Sequence, residues 1–515
     1  MVLKDVEFIG DFELNHGKMI SAMQLVRGRP FNRVDFKSSA GKLLDYMHSQ
    51  GFIYAYIDSI TTEINSDHNN VRMLIYGRSG DRAYFGDISV EADSLDADRY
   101  RQLLDIRKGD IYSESHLENN IQYLLNYAAD SGYPFADIKT ENIVVNNENG
   151  RNYAQIDLKI EEGHKIFISG INITGNTYTS DNVILRELDL IPGALYSKKL
   201  VDEIPESLMR LQIFKNIKLN GINLVSADSV QVNIEVEEGN SIMMDGVVGY
   251  TPDVSGNGSG GNFNGLFNLS LKNIFGTARK FDVHWEKPDT YSEQFNLRYT
   301  EPWVLDYPLD ASVGLDRTVR DSSFVKWNTF LNMRFRVLSN LSVIAGISRN
   351  LAFPDSASSR DNRLLRNEVI NLELGLEYDT RDYPQNPRAG LFYSNSYAYG
   401  FKNNYGPSYL FVEDSIRKKE ELQIIQLKFG WYYNLWSNQV FSLELNGKQI
   451  KGDDLQLTDV FWFGGSQTLR GYRENQFWGK VIAWANIEYR FILNRNSRFW
   501  AKATALVKEK FILVL

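Results

Sequence analysis

No cysteine occurs anywhere in the 515 residues. That absence removes disulfide scaffolds, Cys-ligated zinc, iron–sulfur clusters and thiol nucleophiles together. It leaves the redox compartment open, because a chain of this length needs no staples. Histidine is scarce as well: six residues scattered among acidic neighbours argue against a metal enzyme, and no metal site is expected. Positive charge is in deficit, 56 Lys and Arg against 65 Asp and Glu, for a net −9. Such a balance argues against a dedicated nucleic-acid binder. Long apolar runs are missing too. None approaches the about 18 residues a transmembrane helix requires, and the mean hydropathy is −0.34. The start, Met1-Val2-Leu3-Lys4-Asp5-Val6, has no apolar signal-peptide core. An exported destination therefore requires that a leader was removed or lost.

Aromatic residues are plentiful instead: Phe 29, Tyr 28 and Trp 9 make 13% of the chain. Rich in aromatics yet polar on average, the composition fits a large soluble β protein. It equally fits a transmembrane β-barrel, whose strands hide their hydrophobicity by alternation.

The first half repeats. Gly28-Arg29-Pro30-Phe31-Asn32, Gly109-Asp110-Ile111-Tyr112-Ser113 and Gly193-Ala194-Leu195-Tyr196-Ser197 share a Gly-x-x-aromatic-polar pattern, 81 and then 84 positions apart. Gly51-Phe52 and Gly132-Tyr133 each follow the first Gly of their copy by 23 residues; the third copy has Asn216 there. Every copy opens on an extended segment, passes through a short helix, the glycine turn and a longer amphipathic helix, and closes on two strands. The longer helix shows in Leu117, Ile121, Leu124 and Leu125, and in Leu200, Ile204, Leu208 and Leu211. Gly51 and Gly132 sit where helix C-cap glycines belong. The closing strands alternate, as in Ile156, Leu158, Ile160 and in Val232, Ile234, Val236. The predicted units are three β-α-α-β-β domains of the α+β type, 1–81, 82–163 and 164–240. Generic α+β modules without shared function are the plainer reading of the same pattern.

From about Ser241 the helical period gives way to alternation. Phe267, Leu269 and Leu271 alternate with polar residues, as do Phe281, Val283 and Trp285, and Leu372, Leu374, Leu376 and Tyr378. Ile425, Leu427, Phe429, Trp431 and Tyr433 do the same. A soluble sandwich would also alternate, but connection lengths separate the two. Long connections at 252–262, 352–364, 402–420 and 450–479 fall on one side. Short turns at Gly276-Thr277-Ala278, Leu338-Ser339-Asn340, Trp436-Ser437-Asn438 and Asn494-Arg495-Asn496 fall on the other. Long loops on one side and tight turns on the other are the pattern of an outer-membrane barrel. Residues 241–515 are therefore predicted to form a transmembrane antiparallel barrel of about 12–13 strands.

Few motifs carry enzyme chemistry. Gly256-x-Gly258-x-x-Gly261 matches a dinucleotide fingerprint but precedes a strand, not a helix, and reads as a loop. Glu373 and Glu377 read as lumenal wall. The connection 450–479 stands out. It carries Phe461-Trp462-Phe463-Gly464-Gly465 and Leu469-Arg470-Gly471-Tyr472-Arg473, and its apolar content predicts that it folds into the lumen. A buried Arg470 would need a carboxylate. Glu488, on the inward parity of the next strand, is the nearest in sequence. The alternative is an exposed loop with a solvated Arg470.

Three such repeats before a barrel, with Leu469-Arg470-Gly471-Tyr472 in the long loop, resemble the BamA/TamA family of outer-membrane assembly factors. The repeats look like its POTRA domains. Further matches are Asn273-Ile274-Phe275-Gly276-Thr277, Tyr299-Thr300-Glu301-Pro302-Trp303, and the turn of Asp379, Thr380, Arg381, Asp382, Tyr383 and Pro384 with Pro387 and Gly390. The resemblance covers nearly the whole chain. It implies a sixteen-stranded barrel in the outer membrane with its POTRA-like repeats in the periplasm. It also implies a loop Arg contacting acids on two following strands: Arg470 and Glu488 match the first pair, with Gly464, Gly465, Leu469, Gly471 and Tyr472 framing the loop. Asp379, Arg381, Asp382 and Pro384 match the family's periplasmic turn. The second acid is replaced by Lys502-Ala503-Thr504, which predicts an altered end near Ala501 and a barrel short of its last strands.

The implied activity is non-enzymatic insertion and folding of β-barrel clients, received by β-augmentation. Implied partners are unfolded outer-membrane proteins, accessory lipoproteins and outer-membrane lipid, with no cofactor and no nucleic acid. The rival within membrane proteins is a two-partner-secretion-type translocation pore; three repeats, not two, and the lack of an N-terminal plug helix weigh against it. An outer-membrane hydrolase is the rival from another class.

Overall fold

The computed structural model describes residues 2–28, 30, 35–64, 70–93, 97–251, 262–321, 323–384, 386–413, 416–436, 438–465, 468–492, 498–508 and 510–514. The Gly256–Gly261 motif, Phe31 and Asn32, and the Asn494–Asn496 turn lie outside the described residues, as do the side chains of Lys502, Ala503 and Thr504. Two compact units are formed. One comprises 1–171, 190–202 and 222–232; the other comprises 172–189, 203–221 and 233–515. The division runs through the third repeat.

Each repeat opens on a strand, runs through helices and closes on two strands. The first contains β1 (Val2–Ile9), β2 (Tyr56–Ile64) and β3 (Asn70–Arg78). The second contains β4 (Ala83–Ala92), β5 (Asp137–Glu148) and β6 (Arg151–Glu161). The third contains β7 (Phe167–Thr174), β8 (Phe214–Ser226) and β9 (Ser229–Glu238). Their sheet orders are β1-β3-β2, β4-β6-β5 and β7-β9-β8. In the first two the opening strand lies parallel to the closing one, and the middle strand pairs with it antiparallel. The helical crossover between parallel strands is what the intervening segment supplies.

The second repeat shows why this sequence folds so. Its helix Glu114–Asp130 starts where the Ser113 hydroxyl accepts from the His116 amide. Leu117, Leu124 and Ala128 recur at helical spacing and are buried. They meet Ala154, Ile156, Leu158 and Ile160, the inward parity of β6. Each buried Leu or Ile contributes about 1.5–3 kcal/mol. At the end of this core the Tyr100 hydroxyl donates to Glu162 Oε1 at 2.7 Å. Burial pushes the phenol well above its ordinary range, and the bond to Glu162 adds to it.

The two repeated glycine motifs build one joint twice. Gly132 ends the helix Glu114–Asp130 at φ +96, and its carbonyl accepts from Ile166 as the third repeat begins. A Cβ there would lie 2.6 Å from the Leu195 side chain, inside the third Gly-x-x-aromatic motif. Gly51, at φ +90, follows the helix Asp35–Ser49 and accepts from Ala83. Its Cβ would lie 2.8 Å from Ile111, inside the second such motif. Glycine is required at both places by the left-handed backbone and by the approach of the next repeat.

One expected helix is divided. Residues 198–211 form two short helices, Lys198–Asp202 and Ile204–Met209, with Pro205 in the first turn of the second. Proline lacks the N–H that would have continued the preceding helix.

Among the described residues, fourteen antiparallel strands follow in up-and-down order. They begin with β10 (Ile242–Thr251), β11 (Asn262–Ile274), β12 (Arg279–Lys287) and β13 (Glu293–Glu301). Next come β14 (Leu309–Arg320), β15 (Phe324–Leu338), β16 (Leu341–Pro354) and β17 (Arg366–Asp379). Then come β18 (Gly390–Gly406), β19 (Lys419–Trp436) and β20 (Gln439–Lys451). A small ribbon, β21 (Phe461–Phe463) with β22 (Phe477–Gly479), precedes the twelfth strand, β23 (Val481–Ile492). Backbone pairing carries the ladder on through β24 (Arg498–Lys508) and β25 (Lys510–Val514).

The exposure of this sheet is inverted relative to a soluble one. Leu372, Leu374 and Leu376 of β17 are 51%, 65% and 45% exposed. Tyr393, Tyr397 and Phe401 of β18 are exposed on the same outward parity, as are Ile425, Leu427, Trp431 and Tyr433 of β19. Alternate positions are buried and largely polar, including Asn367, Asn371, Lys402, Asn404 and Glu420. An apolar outer face over a polar interior, as β17, β18 and β19 present, is stable when the surrounding solvent is lipid.

Candidate functional site

The connection after β20 does not extend into solvent; it folds onto the inward face of β23. Phe463 stacks on Trp484 with ring centroids 6.2 Å apart and planes inclined by 20°. Phe463, Leu469, Ile482 and Trp484 are buried together, with Phe461, Tyr472 and Phe477 packed around them. The hairpin is held by the β21–β22 pairing, Trp462 opposite Trp478. Gly464, at φ +125, lets the chain reverse where a Cβ would lie 2.7 Å from the Arg473 carbonyl. Its amide donates to Thr468 Oγ1 at 2.8 Å, and the Gly465 amide donates to the Leu469 carbonyl at 3.1 Å.

Leu469 and Tyr472 thus hold the loop, while Arg470 and Gly471 between them are exposed at its turn. Glu488 is buried on the inward parity of β23. Arg490, two residues along the same face, bridges it: Nη2 lies 2.7 Å and Nε 2.8 Å from Oε2. Parity places Arg490 beside Glu488 on that face in the sequence, and the structure adds the ion pair between them.

On the opposite end, the turn after β17 is built largely from its own side chains, with Arg490 Nη1 of β23 donating to its Pro387 carbonyl at 3.4 Å. Arg381 forks onto Asp379, Nε to Oδ1 at 2.8 Å and Nη2 to Oδ2 at 2.7 Å, and donates to the Pro384 carbonyl at 3.2 Å. Its guanidinium lies 4.3 Å from the Phe392 ring centroid. Asp382 Oδ1 accepts from the amides of Tyr383 and Arg388, each at 2.9 Å. Asp379, Arg381, Asp382 and Pro384 are therefore brought together in one hydrogen-bonded turn.

Two further sequence motifs meet the segment 176–187 of the third repeat. Asn273 donates to Thr179 Oγ1 at 2.8 Å and accepts from the Ala278 amide at 2.8 Å. The Gly276 carbonyl accepts from Ser180 at 3.0 Å, and a Cβ on Gly276 would lie 2.1 Å from the Tyr178 carbonyl. Trp303 Nε1 donates to Glu187 Oε1 at 2.6 Å, and Arg336 pairs with the other carboxylate oxygen. Arg186 donates to the Thr277 carbonyl at 3.1 Å. Nearby, Glu238 collects bonds from Thr177, Tyr178 and Thr179. Burial opposes its charge, yet those donors outweigh burial and hold the carboxyl below its usual range.

A barrel with an apolar belt, an inward-folded loop and a preceding set of β-α-α-β-β repeats defines an outer-membrane protein of the repeat-plus-barrel class. Comparison with known proteins narrows this. The Omp85 superfamily domain matches residues 273–503, and the surface antigen variable number repeat, the POTRA model, matches 1–76, 83–163 and 166–239. The chain belongs to the BamA/Omp85 family, an outer-membrane protein with its POTRA domains in the periplasm.

It is 24% identical over 313 residues to the outer membrane protein assembly factor BamA of Neisseria meningitidis serogroup B, covering 58% of this chain and 38% of that protein. It is 22% identical over 472 residues to BamA of Nitratidesulfovibrio vulgaris, covering 85% of this chain and 56% of that protein. It thus spans about four- to six-tenths of the length of these relatives. Among solved structures it is similar to BamA from Haemophilus ducreyi lacking POTRA domains 1–3, at 16% identity and TM-score 0.49, covering 82% of this chain and 87% of that one. It is also similar to CdiB from Escherichia coli, at 11% identity and TM-score 0.48, covering 92% and 87%. The curated relatives are named as assembly factors, not enzymes.

Proposed function

We propose that this chain inserts and folds β-barrel client proteins at the outer membrane, without catalysing a covalent reaction and without a cofactor. The observation that carries the reading is the first barrel strand. β10 exposes Ile242, Met243, Met244, Val247, Val248 and Tyr250, apolar residues of both parities. Among the described residues it pairs with β11 alone. A strand with an unsatisfied edge in lipid is costly, so an incoming strand that pairs there gains its full set of backbone bonds. Burial of client apolar surface supplies the rest of the driving force.

With domains proposed at 1–81, 82–163, 164–240 and 241–515, reception is the proposed task of the repeats and insertion that of the barrel. In each repeat the middle strand of the sequence lies at a sheet edge: β2, β5 and β8. Ile143 and Val144 on β5 and Leu224 and Val225 on β8 are exposed, as suits a site that an extended client joins by β-augmentation. Unfolded outer-membrane proteins are the proposed clients, with accessory lipoproteins as partners on the repeats. Arg470 and Glu488 are proposed to meet as the loop's working contact.

Lysine blunts an exposed strand edge, and substitutions at exposed positions cost a fold little, about 0.5 kcal/mol or less. Val144→Lys with Leu224→Lys is therefore expected to lower photo-crosslinking of an unfolded client to the repeats at least about fivefold, with the chain still folded. Undiminished crosslinking would remove the two edges from the pathway. Export of a soluble exoprotein in place of barrel insertion would favour the secretion-pore reading.

A further inference from the structure

We propose that Lys402 is a positioning residue. With Glu420 and Asp459 it forms a buried ionic staple that pins the stem of the lumenal loop, residues 453–459, to the barrel wall, and so sets where the Arg470 turn can reach. The inference rests on the reading above only in giving the loop a task.

The Lys402, Glu420 and Asp459 side chains are 0%, 1% and 3% exposed. Lys402 Nζ lies 2.7 Å from Asp459 Oδ2 and 3.2 Å from Glu420 Oε2. Lys402 and Glu420 are direct cross-strand partners on β18 and β19, so the wall presents a preformed pair and the loop brings the third charge. The stem is ordered around it. Asp459 Oδ2 also accepts from the Gln456 amide at 2.8 Å, the Asp454 amide donates to Glu420, and the Asp454 carbonyl accepts from Lys402 at 3.4 Å.

Three more wall groups grip the same residues. Lys326 Nζ on β15 donates to the Thr458 carbonyl at 3.0 Å, and Asn367 Nδ2 on β17 donates to Thr458 Oγ1 at 3.2 Å. The Leu365 amide donates to Gln456 Oε1 at 3.1 Å. A segment continuous with β20 is therefore tied to β15, β17, β18 and β19. Two lysines and two carboxylates thus share this interior.

An apolar clamp would hold the stem at lower desolvation cost, since a buried ion pair is often no more stable than well-packed hydrophobic residues. What the ions add is a fixed register, because moving a buried charge off its partner carries a penalty that sliding an apolar contact does not. The turn end of the loop differs: Phe463, Leu469 and Trp484 hold it by apolar packing, which tolerates sliding.

The chain has no cysteine, so Val460→Cys makes a unique reporter at the position directly after the stem, which is 7% exposed. Its modification by a charged maleimide is measured in the whole chain in detergent, with heat-modifiable electrophoretic mobility as the check on folding. Lys402→Met keeps an unbranched side chain, one atom shorter, and removes the charge; it should raise the labelling rate at least about tenfold. Lys402→Arg keeps the charge and changes the shape; it should stay within about twofold of the parent. Asp459→Asn leaves the wall pair intact and should raise labelling about fivefold, so a Lys402→Met barrel that failed to fold would leave the proposal still testable.

Labelling equal to the parent in folded Lys402→Met and Asp459→Asn would overturn the staple. So would protection in Lys402→Met with release in Lys402→Arg, the order expected of packing alone. Release of the stem with undiminished client insertion would uphold the staple and refute the loop's proposed task.

Discussion

Glu187→Lys is expected to release the segment 176–187 from the barrel turns and to raise hydrogen exchange at the Ser180 amide by about a hundredfold or more. Glu187 is 8% exposed at its side chain and accepts from Trp303 Nε1 at 2.6 Å while pairing with Arg336. Removing one partner of a buried pair costs about 3–5 kcal/mol, because the other charge is left without compensation. Reversal goes further: the new ammonium faces Arg336, with Arg186 adjacent. Asp310, 3.5 Å from Arg336, can retain that guanidinium, while Trp303 Nε1 loses the Glu187 acceptor. At about 1.4 kcal/mol per factor of ten, even the lower figure gives the stated change. Glu187→Gln should fall between, since it keeps an acceptor for Trp303 and loses the ion pair. The Ser180 amide is the reporter because it donates across this seat to Gly276. Exchange unchanged in Glu187→Lys would mean that the seat is held by the Asn273 and Gly276 contacts alone.

The second large effect falls on function. Arg470→Ala should lower insertion of barrel clients at least about tenfold while leaving expression and folding of the chain intact. Arg470 is exposed at the loop turn, so truncation opens no cavity. Leu469 beside it is 2% exposed and packs with Phe463 and Trp484, so the loop keeps its seat. Glu488 already carries Arg490, and an ionised carboxylate has acceptor sites enough for a second guanidinium. Arg470→Lys should rescue poorly, because an ammonium cannot reproduce the guanidinium fork. Insertion at the parental rate in Arg470→Ala, measured by protease protection of a client in liposomes, would refute a role for the turn.

Much of this architecture was legible because its determinants are local. The period of two in Leu372, Leu374 and Leu376 identified the lipid face without any tertiary information. The same period gave the cores of the repeats through Ile156, Leu158 and Ile160. Gly51 and Gly132 announced helix ends by residue type, although their second task, admitting Ile111 and Leu195 of the next repeat, needed coordinates. The inward fold of the loop followed from the aromatic content of Phe461-Trp462-Phe463.

What was illegible is the meeting of charges distant in sequence. Parity places Lys402 and Glu420 inside but does not say that Asp459 descends between them, since that depends on how the loop crosses the lumen. Glu187 and Arg336 lie on different elements, and neither has a sequence signature apart from being charged. The division of 198–211 into two helices was written in Pro205 and overlooked beside a strong apolar period.

The central claim is that this chain assembles barrels in a membrane. It is tested most directly by reconstituting the chain in liposomes, adding a urea-unfolded outer-membrane barrel, and following the client's heat-modifiable, protease-protected form over time. Folding should be at least about tenfold faster than in liposomes without the chain. Folding at the same rate in both, with the chain itself correctly inserted, would contradict it.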